Sequence, residues 1–243
     1  MTGLRAIVTG HSRGLGRGLV AALVAEGAEV LGLARSGSDA VPGLRQVGLD
    51  LGDPAAVADW LAGDGLAGFL AGAGRAILVN NAGTVAPIAP AGRQGAGAIA
   101  TAIALNVAAP LMLADAFIAA TVAIPDRRIL HVSSGAGRKP YPGWSIYCAT
   151  KAALDMHALA VAADRQAGLS IESLAPGVID TDMQAEIRAT PADRFVLRAD
   201  FETMKREGAL AGAAERGAAI LRHLLSDAFG AETVSDVRRL GTA

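Results

Sequence analysis

Six short apolar runs set between longer stretches of helical period constrain this chain more than any other feature. The runs are Arg5–Thr9, Glu29–Ala34, Arg45–Leu49, Ala76–Asn80, Ile129–Ser133 and Ser170–Leu174. Most of them are nearly continuous Val, Ile and Leu, as in strands buried on both faces, rather than alternating with polar residues. Such strands pair in parallel and need helices above and below. Helices are predicted at Leu15–Glu26, Pro54–Leu70, Ala96–Ala123 with a break near Pro110, Ser145–Ala167 and Ala211–Ser226. Asp53-Pro54 suits a helix start, with the aspartate capping free N–H groups and the proline at the first helical position. The expected fold class is α/β, a doubly wound parallel sheet in a single domain over residues 1–243. The mixed-charge stretch 180–207 is expected to form a lid over substrate.

Composition narrows the function classes. Apolar residues make up 52% and charged ones only 19% of the 243 residues, and mean hydropathy is +0.38. A spanning helix needs about 20 apolar residues in a row, and the segment Leu111–Pro125 is interrupted by Asp115 and Thr121. The first residues lack the long apolar core of a signal peptide. With 22 basic and 23 acidic residues, no basic block marks a nucleic-acid footprint. Cys148 stands alone, and His11, His131, His157 and His223 are scattered without metal-ligand spacing. The expectations are a cytoplasmic protein without membrane, nucleic-acid or metal partners. Its hydrophobicity would be absorbed by internal burial and by the interfaces of a homodimer or homotetramer.

The first strand runs directly into Gly10-His11-Ser12-Arg13-Gly14-Leu15-Gly16 and then a helix. Three glycines there allow a tight turn and close approach to a pyrophosphate at the helix N-terminus. The same residues also read as G-x-S-x-G, a nucleophile elbow, with Ser12 attacking and Asp182 and His223 as conceivable partners. That alternative needs an oxyanion loop earlier in the sheet, and only nine residues precede Gly10. The second strand ends on Ala34-Arg35 with no acid at its tip. An acid would hold a ribose 2′-hydroxyl, whereas arginine suits a 2′-phosphate. Arg35, with Arg13 as a second cation, points to NADP(H); Asp39, a few residues on, is the residue that argues against it.

Tyr147 and Lys151 lie four apart in a segment of helical character, so they share a helix face. A cation beside the phenol is expected to lower its pKa toward the working range. Ser133 and Ser134 close the preceding strand.

Taken together, these motifs resemble the short-chain dehydrogenases/reductases from end to end. The likeness rests on Thr9-Gly10-xxx-Gly14-x-Gly16, Asp50, Asn80-Asn81-Ala82-Gly83, Asn106, Ser134, Tyr147-xxx-Lys151 and Pro176-Gly177, in family order. Residues 143–148 and 175–183 further resemble the sepiapterin reductase and benzil reductase branch. The resemblance implies a Rossmann-type fold and an NADPH-dependent reduction of a ketone or dicarbonyl. It implies Asn106, Ser134, Tyr147 and Lys151 as catalytic residues, with Ser134 preferred over Ser133 because it precedes Tyr147 by 13. Tyr147 would donate the proton, Lys151 would bind the nicotinamide ribose, and Asn106 would complete a water-linked proton path. Cofactor contacts are expected from Gly10, Ser12, Arg13, Gly14, Leu15, Gly16, Arg35, Asp50, Leu51, Asn80, Ala82, Gly83, Tyr147, Lys151, Pro176, Gly177, Val178 and Thr181. Substrate contacts are expected from Ser134, Trp144, Tyr147, Met183 and Asp236, with Tyr141, Phe195 and Phe201 as further cavity candidates. A nucleotide-sensing regulator without catalysis is the alternative on the same fold.

Overall fold

The computed structural model describes residues 3–240. Seven parallel strands form one sheet: β1 (Leu4–Thr9), β2 (Glu29–Ala34), β3 (Leu44–Gly48), β4 (Arg75–Asn80), β5 (Asp126–Val132), β6 (Leu169–Ala175) and β7 (Val234–Asp236). Their order is β3-β2-β1-β4-β5-β6-β7. The chain winds outward from β1 to β3 and then returns to β4 on the other side. That reversal opens a crevice beyond the carboxyl ends of β1 and β4, where doubly wound sheets bind ligands.

The continuous apolar strands serve two cores at once because successive side chains point to opposite faces. Ile7, Leu78, Ile129 and Ile171 pack on one face beneath α2 (Pro54–Leu61), α3 (Gly65–Leu70) and α5 (Ala109–Ala120), where Leu113 and Phe117 are fully buried. Val8, Ile77, Val79 and Leu130 pack on the other face against α1 (Gly14–Ala25) and α9 (Ala213–Leu225). These last two helices meet backbone to backbone: a Cβ on Gly18 would lie 2.3 Å from Ala213 O.

The helix expected at 54–70 divides in two, since Gly63-Asp64-Gly65 weakens the ladder where α2 ends. Asp53 caps α2 as its position predicts, accepting from the N–H groups of Ala55 and Ala56. Near Pro110 the chain does not break. A π-helical turn at Ala104–Ala108 joins α4 (Ala96–Ile103) to α5 and absorbs the proline's missing N–H. The resulting helix, Ala96–Ala120, is 25 residues long and, by length and composition, apolar enough to cross a membrane. In this fold its α5 half packs on β4 and β5 and its α4 half against α6. The helix α6 (Ser145–Ala163) stops four residues short of the expected end, and Arg165 then turns with φ +51°. The segment 180–207 forms α7 (Asp182–Ala189) and α8 (Arg198–Arg206). Strand β7 goes unnoticed in the sequence because three residues carry no periodic signal.

Candidate active site

One cleft of about 1130 Å³ runs across the carboxyl ends of the strands, from the glycine turn to α7 and α8. At its nucleotide end, Gly10 and Gly14 adopt φ +65° and +53°, conformations that side chains rarely tolerate. The N-cap residue Arg13 makes no capping hydrogen bond among the described residues, so the first turn of α1 offers its N–H groups to an anion. Thr9 and Asn81 hold this turn. Thr9 Oγ1 accepts from the N–H groups of Asn81 and Ala82 at 2.9 Å, and Asn81 Nδ2 donates to the carbonyls of Thr9 and Gly10.

Most residues expected to contact a cofactor line this cleft: Gly10, Ser12, Arg13, Gly14, Leu15, Arg35, Asp50, Leu51, Ala82, Gly83, Pro176, Gly177, Val178 and Thr181. Two do not. A Cβ on Gly16 would come within 2.1 Å of Gly10 O, so this glycine lets α1 sit against the turn rather than touching a ligand. Asn80 turns away, its Nδ2 meeting Pro110 O and His131 Nδ1; its neighbour Asn81 faces the cleft instead. Arg13 reaches across to α7, pairing with Asp182 at 3.0 Å while both stay largely exposed. Asp39 lies 3.7 Å from Arg17 and is not part of the lining. Asp50 lines the cleft and also closes its own turn by accepting from Gly52 N–H.

The reactive end is built on β5 and α6. Lys151 is buried and donates from Nζ to Val132 O at 2.7 Å, with Nζ 5.7 Å from the Tyr147 ring centre. Burial lowers its pKa to about 8, and the nearby Asp155 carboxylate pulls it back up. Burial pushes Tyr147 up to about 12, against a hydrogen bond with Ser134 that lowers it. The expected lowering of the phenol by Lys151 is therefore corrected. The ammonium sits over the ring and spends an N–H on Val132, while desolvation dominates at the hydroxyl. At that value the phenol keeps its proton at neutral pH.

Ser133 and Ser134 both border the cleft beside Tyr147, but the Ser133 hydroxyl is committed, donating to Asp155 Oδ1 at 2.6 Å. Asp155 also accepts from Ser173 Oγ and pairs with Arg138, whose other N–H groups reach Ser173 O and Ser235 O. This buried knot binds the turn after Ser134 to α6, β6 and β7. Nothing in the sequence pattern singles out Asp155 or Arg138. Asn106 lies in the π-helical turn behind the lining, and its amide is committed to Thr84 and Thr150. Its side chain braces the loop at Gly83 and Thr84 instead of facing the cleft.

At the substrate end, Trp144, Tyr141, Met183 and Phe201 line the cleft. Phe195 is fully buried behind them, stacked on Trp144 at 5.0 Å. Asp236 is corrected as a substrate contact. Its carboxylate is taken by Arg238, which holds it near pKa 2, and it is Arg238 that lines the cleft. The partners suggested for Ser12 are elsewhere: Asp182 is with Arg13, and His223 bonds Glu172 at 2.9 Å. Among the described residues no Ser–His–acid constellation forms around Ser12.

Comparisons with known proteins agree with this geometry. The family model described as short chain dehydrogenase matches residues 5–192. A benzil reductase ((S)-benzoin forming) of Bacillus cereus is 40% identical over 137 residues, 55% of each chain. Sepiapterin reductase of Meriones unguiculatus is 32% identical over 242 residues, covering 92% of each. A short-chain dehydrogenase/reductase structure from Burkholderia vietnamiensis is 46% identical with TM-score 0.70, covering 98% of both chains. The chain belongs to the short-chain dehydrogenase/reductase family, oxidoreductases that use nicotinamide dinucleotides.

Proposed function

We propose that this protein is an NADPH-dependent reductase of a ketone or dicarbonyl bearing aromatic groups. The observation that carries the reading is the meeting of Ser134, Tyr147 and Lys151 with an aromatic wall in the cleft that the glycine turn opens. The positive-φ glycines and uncapped helix start fit a pyrophosphate, and Arg35 at the tip of β2 fits a 2′-phosphate. Asp50 and Leu51 would flank the adenine. When bound, the reduced nicotinamide supplies the hydride.

The chain's own residues do the rest. Ser134 hydrogen-bonds the substrate carbonyl oxygen and orients it toward Tyr147. Tyr147, kept protonated by burial, donates its proton to that oxygen as the alcohol forms. Lys151 binds the nicotinamide ribose and, as a cation, stabilises the phenolate left behind. Trp144, Tyr141 and Phe201 exclude water and stack on the substrate's aromatic groups. Because Asp236 is neutralised by Arg238, the cleft favours a diaryl dicarbonyl over a cationic heterocycle held by a carboxylate. The helices α7 and α8 act as its lid.

Ile103, Met156 and Leu159 leave an exposed apolar face on α4 and α6, which suits assembly as a homodimer or homotetramer. Loss of NADPH absorbance over a panel of benzil, other diketones, sepiapterin and aromatic aldehydes tests the reading. It predicts turnover with benzil-like substrates; no turnover with any carbonyl would leave the sensing alternative.

A further inference from the structure

His11, inside the glycine turn, is almost fully buried, although nothing in a pyrophosphate site calls for a histidine there. Its ring lies over Gly32 of β2, where a Cβ would come within 2.4 Å of His11 Cγ. Gly32 pairs with Val8 on β1 and with Gln46 on β3, so the ring crosses the sheet along one row of residues. It ends at Gln46, with Nε2 2.8 Å from Oε1. That oxygen can only accept, which assigns the proton to His11 Nε2. The same Oε1 accepts from Ser38 N–H at 2.7 Å and from Ser38 Oγ at 3.2 Å, and Gln46 Nε2 donates to Ser38 O. Ser38 is therefore gripped through both backbone groups and its hydroxyl. It anchors the exposed loop that begins at Arg35 and Ser36, both on the cleft wall.

We infer that His11, Gln46 and Ser38 form a relay that sets the Arg35 loop against the glycine turn and so determines discrimination for a phosphorylated adenosine ribose. Gln46 and His11 are positioning residues; neither lines the cleft. A guanidinium grips phosphate through two parallel bonds and gains little unless its fork is oriented beforehand. A loop that bends at Arg35 and Ser36 and continues through Gly37 would otherwise be ordered only on binding, at a cost in affinity. The relay orders it in advance. The inference rests on the reading of Arg35 as the 2′-phosphate contact.

Gln46→Met in the full-length protein keeps the side-chain length at an exposed edge-strand position and removes every bond of the relay. Dissociation constants for NADPH and NADH are then measured by nicotinamide fluorescence, with and without Arg35→Ala. The NADPH constant should rise about fivefold, as for one or two lost hydrogen bonds, while NADH changes less than about twofold. In the Arg35→Ala background the same substitution should add less than about twofold, and kcat at saturating NADPH should hold. Equal weakening of both nucleotides, additivity with Arg35→Ala, or no change would overturn the relay while wild type still prefers NADPH. If wild type itself shows no preference for NADPH, the underlying cofactor reading fails and takes the relay with it.

Discussion

Asn106 grips Thr84 from both sides: Oδ1 accepts from Thr84 N–H and Nδ2 donates to Thr84 O, each at 2.8 Å. A third bond runs from Nδ2 to Thr150 Oγ1 on α6. The amide thus mimics a strand partner for a loop that has none, and it does so from a π-helical turn that aims it inward. Gly83, next in the chain, leaves only 3.2 Å between a would-be Cβ and Asn106 Oδ1, and 3.8 Å to Lys151 Nζ. Loop, amide and Lys151 form one packed unit.

Asn106→Ala strips both backbone groups of the half-buried Thr84 of their partners. Stability should fall by about 1–3 kcal/mol, read from denaturant unfolding. Activity should fall on the order of 100-fold in kcat, because a displacement of about 1 Å at the reacting groups is enough for that. Unchanged kcat would show that the brace does not govern the geometry of the site.

Gly16→Ala and Gly68→Ala make a matched pair. The first places a methyl 2.1 Å from Gly10 O, whereas the second, on α3, meets nothing within 4 Å. Gly16→Ala should lose at least about 2 kcal/mol and weaken nucleotide binding by shifting the turn. Gly68→Ala should gain up to about 1 kcal/mol from helix propensity. Thermal melts of both variants check the contrast.

Lys151 ties stability and activity to pH in opposite senses. Its folded pKa of about 8 lies below the ordinary 10.5. Between those values the unfolded chain holds a proton that the folded protein has released, so stability rises with pH across that window. Below pH 8 the buried ammonium costs its full penalty, on the order of 3 kcal/mol. Lys151→Met should therefore match or exceed wild type in Tm at pH 7 and lose that margin by pH 10. Wild-type kcat/KM for reduction should decline above pH 8 as the ammonium is lost. A pH-independent Tm difference would show that the lysine is not desolvated.

Much of this was legible from residue patterns, for identifiable reasons. Short runs of Val, Ile and Leu mark two-faced strands at β1, β2, β4, β5 and β6, whereas β3, with Arg45 and Gln46 exposed at the sheet edge, follows only from its place in the alternation. Glycines at 10 and 14 mark the turn because few other residues tolerate its backbone. What sequence leaves hidden depends on contacts between distant segments. β7 is held largely by the buried Glu172, which accepts from Ser235 Oγ, His223 Nε2 and Gly230 N–H, and no local pattern announces such a knot. The spacing of Tyr147 and Lys151 reveals their shared helix face but not how deeply each is buried, and burial decides the direction of both pKa shifts. Asp155 and Arg138 are ordinary charged residues until the fold encloses them. Arg13 looks like a phosphate ligand in the sequence, but in the structure it meets Asp182, 169 residues away.

The proton donor is the centre of the account, and Tyr147→Phe tests it with the loss of a single oxygen atom. Reduction of benzil should be measured by NADPH oxidation under single turnover, with nucleotide binding followed in parallel. The account predicts a fall of at least about 100-fold in the rate, with NADPH affinity within about twofold of wild type. A variant that reduces benzil at the wild-type rate while binding NADPH normally would contradict it.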